Sequence, residues 1–252
     1  MSSFLSIAHT ISDVQALLSK RNEDSTIFVD VDDTLITPTS ALFRALSPYR
    51  SLIDELKRDR EKFGNFETIL SHWRLQRKTM LVSEEWPHLL NELKQRNPVY
   101  ALTQMETGTL EEIPSMEEWR HEELTRKGIV FTPSFNGKAK ETLLVEPLAS
   151  YPALFYQGIF ITGSFNKSDV LRAFLKTQSP SQIVLIDDRL EQLEDVEKEC
   201  SRQALSFLGI HFKGAELITG APDPQIAAFQ KKHLFEYAQW LEDEEAEGRC
   251  NS

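Results

Sequence analysis

The chain has 252 residues, of which 40% are hydrophobic and 27% are charged, so it contains enough apolar material for a sizeable core. Its 28 lysines and arginines against 39 aspartates and glutamates give a net charge of −11, which disfavours nucleic acid or an anionic membrane as the main partner. The two cysteines form no disulfide framework and the first residues lack the pattern of a secretory signal, so we expect a cytoplasmic protein. The sequence contains no apolar stretch long enough to predict a transmembrane segment.

The first two predicted elements lead directly to a group of acidic residues. Apolar residues at helical spacing predict a helix over residues 7–18, and a short apolar run at residues 27–29 predicts a buried strand. Asp30 and Asp32 follow this strand with an i, i+2 spacing, which puts both side chains on the same side of an extended backbone. Because two carboxylates this close repel each other unless a cation or a proton lies between them, the spacing favours a metal site.

Structural roles are expected for the residues that follow this acidic pair. Asp33 is expected to point away from the site, and Thr34 is expected to hydrogen-bond backbone within the turn. A predominantly helical stretch then runs over residues 40–83. Its Arg74, Arg77 and Lys78 can contact an anionic substrate, but a solvated helix face is the interpretation that we favour.

The remainder of the chain alternates helices with apolar strands, which predicts an α/β fold with a doubly wound, mostly parallel, Rossmann-like sheet. Thr103 ends one apolar run, Lys167 stands at the start of a predicted helix, and Asp187 and Asp188 follow another apolar run. The other predictions are helices over 87–96, 114–127, 169–176 and 224–241, strands over 99–103, 129–131, 183–186 and 205–212, a hairpin from the runs 143–145 and 158–161, and a frayed, solvated helix end at 242–245.

In this order, the polar groups that follow the strands resemble the four motifs of the haloacid dehalogenase (HAD) superfamily, and among its members those of phosphatase type. The matching residues are Asp30, Asp32 and Thr34 in the first motif, Thr103 in the second, Lys167 in the third, and Asp187 with Asp188 in the fourth. The resemblance covers residues 24–215. One position departs from the pattern, because Glu191 stands where the fourth motif often has a further Asp or Asn.

The resemblance implies a domain organisation as well as an activity. It predicts a HAD-like core formed by residues 1–36 and 85–252, with a helical cap inserted at residues 37–84. Such a cap covers the site, excludes water and contacts the leaving group. The implied activity is that of a Mg²⁺-dependent phosphatase that hydrolyses a phosphomonoester, carried by a small molecule or a protein side chain.

Each motif residue has a role under this resemblance. Asp30 is the nucleophile that forms an aspartyl-phosphate, and Asp32 protonates the leaving oxygen before it activates water. Thr103 and Lys167 contact and neutralise the transferring phosphoryl group. The implied magnesium ligands are the side chains of Asp30 and Asp187, the backbone carbonyl of Asp32, and Asp188 either directly or through water.

Two other functions remain open from the sequence. The first is a binding or effector protein that keeps the HAD fold and has little or no catalysis. The second is a phosphotransferase that passes the aspartyl-phosphate to an acceptor other than water.

Overall fold

The apolar runs of this chain assemble into one large sheet and one small ribbon. The computed structural model describes residues 3–250. Its strands in that range are β1 (Ser3–Ala8), β2 (Ser25–Val29), β3 (Ile36–Pro38), β4 (Thr79–Leu81), β5 (Val99–Thr103), β6 (Lys140–Thr142), β7 (Leu154–Tyr156), β8 (Ile159–Ile161), β9 (Gln182–Asp187) and β10 (Ser206–Phe212). Eight of these described strands form a sheet in the order β1-β10-β9-β2-β5-β8-β7-β6, and β3 pairs with β4. Only β7 runs antiparallel to its neighbours in the large sheet of this range.

Helices follow most of the strands and cover both faces of the sheet. The helices in the described range are α1 (Ile11–Leu18), α2 (Leu52–Arg58), α3 (Phe66–Gln76), α4 (Trp86–Lys94), α5 (Met116–Thr125), α6 (Lys167–Leu175), α7 (Leu190–Arg202), α8 (Pro224–Tyr237) and α9 (Asp243–Cys250). None of these helices combines the length and the apolar character that crossing a bilayer requires. The order and directions of the strands, with helices between them, confirm the prediction of an α/β fold with a mostly parallel sheet.

Alternation along β2 explains how one strand serves two cores. Ile27 and Val29 belong to a cluster that includes Val14 of α1, whereas Phe28 belongs to a second cluster on the opposite face that includes Phe174 of α6. Every residue of β2 is buried, and its apolar residues Ile27, Phe28 and Val29 follow one another without alternation, as expected for a parallel strand covered on both faces. Burying each apolar side chain of this size stabilises the folded protein by roughly 1.5–3 kcal/mol.

The strand order places the carboxyl end of β2 at the centre of the molecule. From β2 the chain adds β5 and β8 on one side, and later returns to add β9 and β10 on the other side. The strand order therefore changes direction between β2 and β9. In open α/β sheets, this switch point at the carboxyl ends of the strands is where ligands bind.

A helical insert lies between the two strands of the small ribbon. β3 and β4 pair antiparallel, and residues 39–78 between them contain α2 and α3 together with short 3₁₀ turns. The last helices of the chain pack on this insert: the ring centroids of Phe43 and Trp240 lie 5.2 Å apart, and His72 Nδ1 lies 2.8 Å from the carbonyl oxygen of Ala238. Helices α8 and α9, which the resemblance assigned to the core, thus contact the insert.

The acidic run at residues 242–245 fits the predicted solvated end only in part: Glu244 and Glu245 are exposed, whereas the prediction is wrong for Glu242 and Asp243, which bind the insert. A carboxylate oxygen of Glu242 accepts a hydrogen bond from the Lys78 N–H at 2.8 Å, and Asp243 accepts one from the Ala41 N–H at 2.7 Å. The two carboxylates therefore satisfy backbone donors of the insert, a role that no local pattern in the run itself reveals.

Two element predictions near the sheet are also corrected. The helix predicted over residues 7–18 begins at Ile11, because Thr10 caps it and the preceding residues form edge strand β1. Residues 129–131 do not form a strand. The position beside β5 is taken by β8, whose Ile159 pairs with Ala101.

The predicted hairpin exists with a different first strand. β7 rather than residues 143–145 pairs with β8, and the turn between them consists of Gln157 and Gly158. Both turn residues have positive φ, at 43° and 95°, as a two-residue hairpin turn requires. The glycine is needed for a second reason, because a Cβ at this position would lie 2.5 Å from the Phe131 Cβ.

An ion pair between the half-exposed Arg172 of α6 and the buried Glu199 of α7 generates the first prediction. The Glu199 carboxylate accepts hydrogen bonds from Arg172 Nε at 3.0 Å and Nη2 at 2.8 Å, and these bonds lower the pKa of Glu199 to about 2. Since the ordinary value is 4.5, this stabilisation is complete above about pH 4.5 and is lost as the pH falls toward 2. Glu199→Gln is expected to lower the free energy of unfolding at pH 7 by about 1 kcal/mol.

Urea unfolding of the Glu199→Gln variant measured between pH 7 and pH 3 tests this expectation. The difference from the wild-type protein should shrink as the pH falls below 4.5. Glu194→Gln, which changes an exposed residue of the same helix, serves as the control. A destabilisation that is equally large at both ends of the pH range would contradict the assignment.

Candidate metal and phosphate site

Three charged side chains meet where β2, β9 and α6 come together. Asp30 directly follows β2, and its N–H donates to the carbonyl oxygen of Ile186 in β9 at 2.8 Å. Lys167 is the first residue of α6, and its ammonium donates to Asp30 Oδ1 and to Asp187 Oδ2, both at 2.5 Å. The lysine is only 2% exposed, so these carboxylates offset the cost of burying its charge.

Asp188 completes a cluster of oxygen ligands at this point. One carboxylate oxygen each from Asp30, Asp187 and Asp188 lies within 4.8 Å of the others, a spacing that can hold a metal ion. Burial, opposed by Lys167 and reinforced by the charge of Asp187, raises the pKa of Asp30 to about 7. Burial and the charges of Asp30 and Asp187 raise the pKa of Asp188 to about 8. The cluster thus holds protons near neutral pH that a cation would displace.

The charges around the cluster show what kind of ion fits it. Asp33 and Arg50 adjoin the three aspartates, because Arg50 Nη2 contacts Asp33 at 3.2 Å and Asp188 at 2.6 Å. Together with Lys167, four carboxylates face two cations, which leaves two negative charges. A divalent cation with hard oxygen preference would neutralise them.

Asp32 lies beside this cluster but faces a different set of partners. Arg120 binds its carboxylate with two nitrogens, at 3.2 Å and 2.7 Å, and Arg77 Nη2 lies 3.5 Å from it. Burial would raise the pKa of Asp32, but the two guanidinium groups hold it well below the usual range. The two aspartates therefore lie in different surroundings: the Asp30 carboxylate contacts Lys167, and the Asp32 carboxylate contacts arginines.

Arginines of the insert are buried rather than solvated, so the interpretation of a solvated helix face is wrong for Arg74 and Arg77. Arg74 forms an ion pair with Glu106, and Arg77 contacts Glu123 at 3.2 Å. Arg77 also lies over the ring of Trp73, 4.5 Å from its centroid. These side chains line the same cavity as Asp30, so the insert contributes positive charge to the site.

Sequence reasoning missed Arg120 altogether. It is 2% exposed on α5, where Glu117 and Glu123 are also buried. A signal was available in this helix, because its sequence Met-Glu-Glu-Trp-Arg-His-Glu-Glu-Leu-Thr has charged residues on every face. A helix of this composition that packs on a sheet must bury some charge, which then requires a partner.

The remaining motif residues have mixed outcomes. Thr103 ends β5, is 1% exposed and lines the cavity together with Asp30 and Lys167, as the second motif requires. The hydroxyl of Thr34 is buried and has no hydrogen-bond partner among residues 3–250, so its predicted bond to the turn backbone is absent. Asp33 does not point away: it accepts from the Thr37 hydroxyl at 2.7 Å and lines the cavity.

Glu191, the position that departs from the HAD pattern, stands apart from the metal cluster. Its carboxylate accepts a hydrogen bond from Arg189 Nε at 2.8 Å. Within the described range it is not among the aspartates whose oxygens converge. Glu191 lines the outer part of the cavity, whose volume is about 1000 Å³.

The chain belongs to the family described as "Protein of unknown function (DUF2608)", whose model matches residues 8–247. It is 30% identical over 241 residues to an uncharacterized protein of Rickettsia prowazekii (strain Madrid E), an alignment that covers 94% of this chain and 87% of the relative. No solved structure matches the chain. These comparisons assign no activity, so the function is inferred from the geometry of the site.

The aspartate cluster predicts pH-dependent binding of a divalent cation. Because the pKa values of Asp30 and Asp188 are raised to about 7 and about 8, protons compete for the same oxygens, and affinity should rise as the pH is raised from 6 to 8.5. Asp188→Asn is expected to weaken binding about tenfold or more, because one charged ligand is lost. Isothermal titration with Mg²⁺ and with Mn²⁺ measures both effects.

The control for this experiment is Asp24→Asn, which changes an exposed carboxylate before the amino end of β2. Its affinity should equal that of the wild-type protein at each pH. Cation binding that is independent of pH, or that survives unchanged in Asp188→Asn, would show that the cluster is not the binding site.

Proposed function

We propose that this protein is a Mg²⁺-dependent phosphatase of HAD type that hydrolyses a phosphomonoester through an aspartyl-phosphate on Asp30. The observation that carries the proposal is the meeting of Asp30, Asp187 and Asp188 with Lys167 at the switch point of the sheet. Few chemistries need a nucleophilic carboxylate, a cation site and a buried lysine in contact, and phosphoryl transfer needs all three.

The donor set of the cluster suits magnesium. All candidate ligands are carboxylate oxygens, and the two uncompensated negative charges correspond to one divalent ion. When bound by Asp30, Asp187 and Asp188, Mg²⁺ would supply positive charge to the oxygens of the phosphoryl group. Lys167, which contacts both Asp30 and Asp187, supplies a second positive charge.

Under this proposal, the transfer proceeds in two steps on Asp30. A carboxylate oxygen of Asp30 forms a bond to phosphorus while the bond from phosphorus to the alcohol oxygen breaks, and that oxygen takes a proton from the protonated carboxyl group of Asp32. Water then attacks the phosphorus and gives a proton to the Asp32 carboxylate, which releases inorganic phosphate and restores both the Asp30 carboxylate and protonated Asp32. Lys167 favours the ionised form of Asp30 against the burial that raises its pKa to about 7, and it neutralises the transferring group, while the Thr103 hydroxyl would donate to one phosphoryl oxygen.

The pairing of Asp32 limits when this residue can act. Held between Arg120 and Arg77, its carboxylate is ionised, so it has no proton to donate, and its lowered pKa makes it a weaker base than an ordinary aspartate. Protonation of the leaving alcohol by Asp32 therefore requires a substrate that loosens the contact with Arg120. The proposed role as acid and base thus depends on rearrangement at this ion pair.

Residues of the insert support the proposal that residues 37–84 act as a cap. Phe43, Trp73 and Arg74 of the insert line the same cavity as Asp30 and Thr103 of the sheet. A substrate bound at Asp30 would therefore be covered on the side opposite the sheet. Such a cap would exclude water from the aspartyl-phosphate until the alcohol has left.

One observation favours a second candidate function. The same ion pair that holds Asp32 also removes the general acid from the resting site, which suits a protein that binds a phosphorylated ligand with little turnover. In that case the cation cluster and Lys167 would serve recognition alone. The two functions differ in whether phosphate is released.

Phosphate release from aryl and alkyl phosphates tests the proposed activity. With Mg²⁺ the wild-type protein should release phosphate, and a chelator should abolish release. Asp30→Asn should lower turnover on the order of a thousandfold or more, because the nucleophile is lost while the fold is kept. Asp24→Asn should have the turnover of the wild-type protein.

Measured binding separates the proposed activity from the second candidate function. Beryllium fluoride with Mg²⁺, which imitates a phosphoryl group on a carboxylate, should raise the melting temperature of the wild-type protein and not that of Asp30→Asn. Retained phosphate release in Asp30→Asn would defeat the assignment of the nucleophile. Tight binding of a phosphonate without release of phosphate from any ester would favour the binding protein.

A further inference from the structure

The wall of the cavity beside Asp32 is built from cations. Lys57 of α2, Arg74 of α3, Arg77 and Arg120 all line it. Within ion-pair distance they meet three carboxylates, those of Asp32, Glu106 and Glu123. Four cations against three carboxylates leave one positive charge in this part of the cavity, in contrast to the acidic part around Asp30.

Aromatic rings hold two of these cations in place. The guanidinium of Arg77 lies 4.5 Å from the ring centroid of Trp73, and that of Arg120 lies 5.1 Å from the ring centroid of Trp119. Stacked and ion-paired arginines have little freedom left to lose when a ligand binds, so their charge is preorganised.

Of these four cations, Lys57 has the weakest ion pair with the protein's own carboxylates. Its ammonium lies 3.5 Å from Glu106, beyond the usual hydrogen-bond distance, and Arg74 binds the same carboxylate more closely. Among residues 3–250 no other carboxylate lies within ion-pair distance of Lys57, and the side chain keeps 30% of its exposure. Its hydrogen-bond donors are therefore available to a ligand in the cavity.

Asp32 shows how the two parts of the cavity adjoin. It stands two residues after Asp30 in the sequence and reaches Arg120 and Arg77 with its side chain. A ligand with its phosphoryl group at Asp30 would therefore direct the rest of its structure along the cationic wall. The wall can satisfy one additional negative charge there.

We infer that the substrate is a phosphate ester whose alcohol part carries a second anionic group, a carboxylate or a further phosphate, bound by Lys57 and the adjoining arginines. This inference rests on the proposed phosphatase function, because it describes the leaving group of that reaction. A neutral alcohol would leave the excess charge of the wall without a partner in a partly desolvated cavity.

Three esters with the same carbon chain test the inference. They are propyl phosphate, the phosphate ester of 3-hydroxypropanoate, and propane-1,3-diyl bisphosphate, compared at equal ionic strength. The wild-type protein should hydrolyse at least one charged ester with a kcat/KM about tenfold or more above that of propyl phosphate, the effect expected of one charge-assisted contact. Which charged ester is preferred distinguishes a carboxylate from a phosphate as the second group.

Variants at Lys57 assign the effect to the wall. Lys57→Met should remove most of the preference, measured as the ratio of kcat/KM for the charged ester to kcat/KM for propyl phosphate, and Lys57→Arg should restore this ratio. The control is Lys62→Met, which removes an exposed cation of the same insert, paired with Asp59 at 3.1 Å, that does not line the cavity. Equal kcat/KM for all three esters, or an equal loss in the Lys57 and Lys62 variants, would overturn the inference and leave the phosphatase function standing.

Uncleavable analogues separate this inference from the proposed activity. If no ester is hydrolysed, the phosphatase function fails, and titration with propylphosphonate and 4-phosphonobutyrate decides the inference alone. Tighter binding of the charged phosphonate by the wild-type protein, lost in Lys57→Met and kept in Lys62→Met, would support an anion-binding wall. Equal binding of both phosphonates would overturn it.

Discussion

The contact of Lys167 with Asp30 and Asp187 is the interaction on which the rest of the site depends. It joins the first residue of α6 to the carboxyl ends of β2 and β9, and all three groups are buried. None of these charges would be tolerated in a protein interior without a partner of opposite sign, because an unpaired buried ion costs several kcal/mol. The sheet can therefore keep two carboxylates at its centre only while the lysine lies between them.

This arrangement also explains why the site has an unfilled preference for a cation. The lysine neutralises one of its two carboxylate partners, and Arg50 contacts Asp33 and Asp188 in a more exposed position. The negative charge that remains is built into the fold at the switch point. Across Asp32 the sign reverses, since residues of the insert and α5 bring an excess of positive charge. Under the proposed function, a single cavity would thus hold a metal-bound phosphoryl group in one region and a second anionic group in another.

The strand-end residues were predictable because their positions follow from local pattern and topology together. A short apolar run fixes β2, and parallel strands place Asp30, Thr103 and Asp187 at one edge whatever the lengths of the connections. The partners of Asp32 were not predictable in this way. Arg120 is 88 residues away in sequence, on a helix without a clear apolar face, so only the folded chain shows that the carboxylate is held.

Long-range docking accounts for the errors in the fold as well. The acidic run near the end of the chain has the composition of a solvated helix, yet Asp243 contacts Ser40 across 203 residues. Residues 129–131, which were predicted to form a strand, do not pair with β5; β8, which follows later in the sequence, does. In both cases, contacts with residues that are distant in sequence decided the structure.

The ion pair of Arg50 with Asp188 connects the insert to the candidate cation site. Arg50 belongs to the insert, whereas Asp188 belongs to the sheet region and is one of the oxygens that a cation would use. The guanidinium and a metal ion therefore compete for one carboxylate. By thermodynamic linkage, whatever lifts Arg50 away must strengthen metal affinity by the same factor by which the metal favours the lifted state. If a cation binds the cluster, the insert and the ion would thus act as reciprocal effectors, coupled through Asp188.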